Sequence, residues 1–185
     1  MQTNSLLSNQ NILLIGFMGS GKSSVSRDLA KQLKAKRIDM DDEIIKISGL
    51  RSINEIFEKH GESKFREFET LALIESLNKK NQIIATGGGT LVHNSPSSLL
   101  SENRMSKEDK IVFLNATFET CKNRCQFSDK RPLFKDIDKA RSLFNERLPL
   151  YNSIADHIVN IDRKTTQEVT KEIIALIYNL HRPQI

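Results

Sequence analysis

The stretch Ile12-Leu13-Leu14-Ile15-Gly16-Phe17-Met18-Gly19-Ser20-Gly21-Lys22-Ser23 constrains this chain more than any other. An apolar run of strand character enters a glycine-rich loop, and the loop ends in Lys-Ser where a helix begins, with Val25, Leu29 and Leu33 on one face. Gly16, four residues, then Gly21-Lys22-Ser23 is the complete P-loop spacing in its strand-to-helix context. The glycines let backbone N–H groups converge on a phosphate without Cβ clashes, and the helix adds its positive dipole end. Gly19, Ser20, Gly21, Lys22, Ser23 and Ser24 thus form an expected nucleotide cradle. Lys22 is placed to reach the β- and γ-phosphates and Ser23 to give a hydroxyl to a bridging Mg²⁺; Ser24 sits one residue too far for that role. The alternative, a glycine-rich turn that merely caps a helix, is outweighed by the full pattern in context.

At 185 residues the chain is expected to be one domain, 1–185, with enough length for a proper core. A hydrophobic fraction of 38% and a charged fraction of 28% suit a globular protein, and no apolar run reaches bilayer-spanning length. Residues 1–10 lack a basic n-region and are expected to be flexible, which favours a cytoplasmic chain without membrane partners. The formal charge of +5 is spread along the sequence and mixed with acids, so it fits attraction to small anions and not nucleic acid. Cys121 and Cys125 stand four apart with no further Cys or His pair at metal-ligand spacing, and are expected to be free thiols.

Strand and helix signals alternate along the chain. Residues 35–39 form a short strand leading to Asp39-Met40-Asp41-Asp42, after which Ile44, Ile45 and Ile47 begin a helix. Gly49 and Gly61 separate a short helix over 52–59 from a longer one over 62–78. The β-branched strand 82–85 ends in Thr86-Gly87-Gly88-Gly89, and residues 94–110 read as a short helix plus a polar loop. The strand Ile111-Val112-Phe113-Leu114, a helix to about Arg124, a helix to about Tyr151, the strand 157–161 and a closing amphipathic helix complete the pattern. Such alternation implies a parallel sheet covered on both faces, with ligands beyond the carboxyl ends of the strands.

The chemistry-bearing residues fall at those ends. Asp39 and Asp41 could divide two tasks, one carboxylate holding hydrated Mg²⁺ and the other meeting an attacking hydroxyl; simple helix capping is the competing role, and Asp42 fits it better. Arg66, between Phe65 and Phe68, and Arg147 are candidates for a carboxylate, because a planar guanidinium binds both oxygens. Arg131, beside Pro132 in the polar stretch 127–136, could bring its charge onto a transferring phosphoryl group if that stretch closes as a lid. The turn Gly87, Gly88, Gly89 allows a substrate to approach backbone N–H groups closely.

Taken together the motifs resemble shikimate kinase. They are Gly-Phe-Met-Gly-Ser-Gly-Lys-Ser at 16–23, Asp-Met-Asp at 39–41, Ile-Phe at 56–57, Gly-Glu-Ser-Lys-Phe-Arg at 61–66, Gly-Gly-Gly at 87–89, Arg-Pro-Leu at 131–133 and Arg-Leu-Pro-Leu-Tyr at 147–151. The resemblance implies an α/β three-layer sandwich of the P-loop kinase type, with a five-stranded parallel sheet in the order 2-3-1-4-5. It implies transfer of the ATP γ-phosphate to the 3-hydroxyl of shikimate, with ATP and Mg²⁺ required, a step toward chorismate and the aromatic amino acids. By likeness, Asp41, Arg66, Gly87, Gly88, Gly89 and Arg147 bind shikimate, Asp39 joins Ser23 at the metal, and Lys22 and Arg131 stabilise the phosphoryl group. Arg124 matches a position that packs on adenine, 44–68 a substrate-binding segment and 127–135 a lid. The expected partner is shikimate alone, and the chain is expected to act as a monomer. Ser26 departs from the pattern, standing where relatives commonly carry glycine.

Two rivals compete with this reading. A gluconate kinase also joins a P-loop to an anionic polyol, but leaves the Asp-Met-Asp, Gly-Gly-Gly and Arg-Pro-Leu set unexplained. A non-catalytic nucleotide switch of the GTPase kind would want Asn-Lys-x-Asp, and Asn78-Lys79-Lys80-Asn81 fails at the last position.

Overall fold

The structure, a computed structural model, describes residues 6–7, 9–102, 104–125, 134 and 136–178. Five strands, β1 (Ile12–Ile15), β2 (Lys36–Asp39), β3 (Gln82–Ala85), β4 (Lys110–Asn115) and β5 (His157–Asn160), form one parallel sheet in the order β2-β3-β1-β4-β5. That is the order expected. β1 and β3 are buried at every position, as continuous apolar strands covered on both faces must be, whereas β2 and β5 at the edges are mixed. Parallel pairing aligns Asp39 with Ala85, Ala85 with Leu14 and Leu14 with Val112, so the loops after β1, β2 and β3 leave the sheet side by side.

Eight helices among the described residues flank the sheet: α1 (Lys22–Gln32), α2 (Met40–Ser48), α3 (Ile53–Leu77), α4 (Thr90–His93), α5 (Pro96–Ser101), α6 (Phe118–Cys125), α7 (Ile137–Ile154) and α8 (Thr166–Ile177). α3 is two helices in effect, because Gly61 (φ 72°, ψ −177°) leaves the helical region between them. A side chain there would be strained, which is why glycine marks the break. Ser52 caps the first half by accepting the Glu55 N–H at 3.1 Å, and α8 opens with a reciprocal capping box between Thr165 and Glu168. Among the described residues no helix is long and apolar enough to cross a membrane.

One boundary differs from expectation. The helix expected to begin near Ile44 starts at Met40, so Asp41 and Asp42 lie inside its first turn, where the dipole favours acids, and Asp39 takes the cap position. Asp42 is therefore not the cap. The Asp39 side chain makes no capping bond either, since Arg37 and Ser23 occupy its carboxylate.

The P-loop is tied into the core by its own second residue. Phe17 is 2% exposed and meets the Phe144 ring edge-on at 5.2 Å, which anchors the loop to α7. Burying such a ring contributes about 2–3 kcal/mol.

Candidate active site

A cleft of about 350 Å³ opens at the carboxyl ends of β1, β2 and β3, walled by the P-loop, Asp39, Asp41, Gly87, Gly88, Arg124 and Arg147. Thr86 brings its second glycine turn to the P-loop: both its N–H (3.1 Å) and its hydroxyl (2.9 Å) donate to the Leu14 carbonyl at the end of β1.

On the cradle side, Gly19 has φ +83°, and a Cβ there would stand 2.7 Å from the Cys121 carbonyl oxygen and 2.8 Å from Cys125 Sγ. The loop thus lies directly on α6, where burial pushes the Cys121 thiol up to about 12. Both cysteines are buried thiols. The Lys22 ammonium donates to the carbonyls of Gly16 (2.7 Å) and Phe17 (3.0 Å) while facing the cleft. Gly21, Lys22, Ser23 and Ser24 line the cleft as expected, but Ser20 is buried, among Phe17, Phe113 and Phe144. Arg124 reaches over the loop, its Nη1 donating to the Gly19 carbonyl at 3.4 Å. The Ser23 hydroxyl lies 3.5 Å from Asp39 Oδ2. A hydroxyl beside a carboxylate is the hard oxygen donor set that suits Mg²⁺.

Opposite the cradle, two arginines meet at the glycine turn. A methyl group added at Gly89 would stand 3.1 Å from Arg147 Nη2 and 3.3 Å from Arg66 Nη1, and one added at Gly88 would stand 3.1 Å from Arg147 Nη1. Residues 66 and 147, from α3 and α7, therefore present their forks to one spot. Arg66 is held from behind by Glu69, 1% exposed, which accepts from Nη1 at 2.7 Å and from the Thr90 hydroxyl at 2.8 Å. Exposed Glu62 takes Nη2 at 3.1 Å, and the buried Nε has no hydrogen-bond partner among the described residues. Tyr151, one turn past Arg147, donates its hydroxyl to the Gly88 carbonyl at 2.5 Å; burial pushes its pKa up to about 12 against the opposing pull of Arg147. His93 at the end of α4 is held below the usual histidine range by burial first and the Arg66 charge second.

Gly19, Gly21, Lys22, Ser23, Ser24, Asp39, Asp41, Gly87, Gly88, Arg124 and Arg147 thus line one cleft, whereas Ser20, Arg66 and Gly89 do not, and Arg66 meets the site only beside Gly89. Arg131 and the lid over 127–135 fall mainly on residues outside those described; only Phe134 is described there. Glu69, Thr90 and Tyr151 carry no role in the sequence reading. Spacing holds part of the signal: Glu69 is three residues from Arg66 and Tyr151 four from Arg147, the distances at which helix side chains meet.

A P-loop, a parallel sheet in this order and a facing pair of arginines define a small-molecule kinase of the P-loop class. Comparison with known proteins takes the assignment further. A family model described as shikimate kinase matches residues 18–178, and the chain belongs to that family. It is 42% identical over 169 residues to the shikimate kinase of Helicobacter hepaticus, covering 89% of this chain and 94% of that one. A Caldicellulosiruptor bescii shikimate kinase is 40% identical over 171 residues, covering 90% and 95%. Among solved structures, Acinetobacter baumannii shikimate kinase in complex with shikimate superposes with a TM-score of 0.80 at 33% identity, covering 94% and 96%. A gluconokinase from Sinorhizobium meliloti, at 15% identity and a TM-score of 0.61, shares the fold alone.

Proposed function

We propose that this cleft transfers the γ-phosphoryl group of ATP to the 3-hydroxyl of shikimate, giving shikimate 3-phosphate and ADP. The observation that carries the reading is the placement of Arg147 on the wall of this cleft at Gly88, across from a complete P-loop, with Arg66 beside it at Gly89. A carboxylate bound at Arg147, with the Arg66 charge beside it at the glycine turn, would sit at a fixed distance from the cradle, and the ring would carry its hydroxyl toward Asp41 on the cleft wall.

Backbone N–H groups of the cradle bind the β-phosphate, and Lys22 leaves its loop carbonyls for the β- and γ-phosphate oxygens. Ser23 and Asp39 would hold Mg²⁺, which would supply neutralisation of phosphate charge when bound. Asp41 accepts a hydrogen bond from the attacking hydroxyl and orients it; the loose transition state of phosphoryl transfer asks little of a base, so orientation carries the larger share. Arg131 adds positive charge to the transferring group, and Arg124 supports the adenine. Gly87, Gly88 and Gly89 let the acceptor lie against the backbone. The chain works as one domain and as a monomer, in the cytoplasm.

The test is ADP release from MgATP by purified protein with shikimate, with gluconate and with no acceptor. Release that depends on shikimate is expected. Stimulation by gluconate alone would overturn the acceptor, and release that ignores both would overturn the clamp.

A further inference from the structure

The position that departs from the family pattern, Ser26, is joined to the metal side of the cleft through a residue with no assigned role, Arg37. Ser23 and Ser26 are three apart on α1 and so share a helix face; Arg37 and Asp39 are two apart on β2 and so share a strand face. The two faces meet. Ser26 is fully buried, its hydroxyl donating to the Ser23 carbonyl at 3.1 Å and accepting from Arg37 Nε at 3.0 Å. The same guanidinium pairs through Nη2 with Asp39 Oδ2, the oxygen that the Ser23 hydroxyl faces at 3.5 Å. The chain Ser26, Arg37, Asp39, Ser23 is thus a closed cross-brace between α1 and β2, with the metal-side donors on one half and the brace on the other.

We propose that Arg37, seated on Ser26, is a positioning residue for the divalent metal: it fixes the Asp39 carboxylate toward the Ser23 hydroxyl before metal and nucleotide arrive. This rests on the assignment of Ser23 and Asp39 above. Two effects of the guanidinium oppose each other. Its charge disfavours a nearby cation, and at a pair only 27% and 18% exposed that repulsion is screened less than at an open surface. Its orienting of a metal ligand belongs to a class of outer contacts whose loss typically weakens metal binding about 10- to 100-fold. We take orientation to be the larger of the two effects, and Mn²⁺ affinity decides between them. Ser26 also accounts for its own burial here, since a glycine would leave Arg37 Nε without this acceptor.

The test measures metal binding without turnover. Mn²⁺ is titrated into the protein–ADP complex and read as free Mn²⁺ by electron paramagnetic resonance, alongside ADP affinity in EDTA. Arg37→Met should weaken Mn²⁺ about tenfold and leave metal-free ADP affinity unchanged. Ser26→Ala, a milder change that keeps the fold if Arg37→Met does not, should weaken it about threefold. The double variant should match Arg37→Met alone, because Ser26 acts only through Arg37. Arg37→Lys, with no fork to span both partners, should recover only part. Asp39→Asn is the reference. If it weakens Mn²⁺ while Arg37→Met and Ser26→Ala bind it like the parent or more tightly, the brace is refuted and the metal assignment stands. An Asp39→Asn protein that binds Mn²⁺ normally overturns both.

Discussion

The two walls of the cleft are built by different means. The cradle is one contiguous segment, residues 16–23, that runs from the end of β1 into α1, so its expected backbone N–H donors and the Lys22 and Ser23 side chains come from a single stretch of chain, braced by α6 and α7. The opposite wall is assembled from α2, α3, the turn after β3 and α7, and sets side chains from three helices beside the backbone of one turn. A backbone cradle recognises a phosphate and little else, so it can serve many reactions. Selectivity for the acceptor then falls to the assembled wall, where Glu69 holds Arg66 and is itself held by Thr90, and Tyr151 holds the turn at Gly88 beside Arg147.

If the walls are separable, damage should stay on its own side. The seam is Asp41: Asp41→Asn should lower turnover about 10²- to 10⁴-fold while ATP affinity moves less than about threefold, in steady-state kinetics with each substrate varied. Unchanged turnover would remove Asp41 from the reaction. Arg66→Lys keeps the charge and loses the fork, and should raise the shikimate KM about tenfold or more with the ATP KM unchanged. A normal shikimate KM contradicts the clamp.

A smaller, mirrored pair sharpens the contrast. Gly19→Ala forces a left-handed φ and a clash with the Cys121 carbonyl, and should raise the ATP KM by about tenfold; Gly88→Ala crowds Arg147 and should do the same to shikimate alone. Crossed effects would mean that the walls are one unit.

The smallest effect at working pH comes from Tyr151. Its pKa is about 12 when folded and near 10 when unfolded, so the folded state keeps a proton that the unfolded state loses. The stability this represents, about 2–3 kcal/mol, is present below pH ~10 and lost as pH rises from about 10 to 12. Tyr151→Phe should flatten that alkaline limb in denaturant titrations and leave the profile below pH ~9 unaltered in shape. A limb of equal slope in the variant would assign the titration to another group.

How much could be read from the sequence follows the same division. The cradle was legible because all of its parts lie within one run of residues with a fixed spacing. Arg66, Arg147 and the glycine turn were legible as residue types in motifs, and the family resemblance supplied their joint purpose. What the sequence did not yield are the residues whose role depends on a distant partner. Tyr151 matters because it reaches Gly88, 63 positions away, and Glu69 because its carboxylate is buried against Thr90 as well as Arg66. Arg37 belongs to no motif, and its place in the site depends on Ser26, eleven positions away. The start of α2 is less legible for a local reason: its apolar residues begin at Ile44, whereas the helix opens at Met40 and takes the acids that the dipole favours into its first turn.

The central claim is that Arg66 and Arg147 recognise the acceptor through its carboxylate. Calorimetric titration of shikimate and its carboxamide into the parent, Arg66→Met and Arg147→Met proteins tests it by removing the charge from each side in turn. The account predicts that the parent prefers the acid by about tenfold or more and that each variant reduces this preference to about threefold or less. The same preference in all three proteins would contradict it.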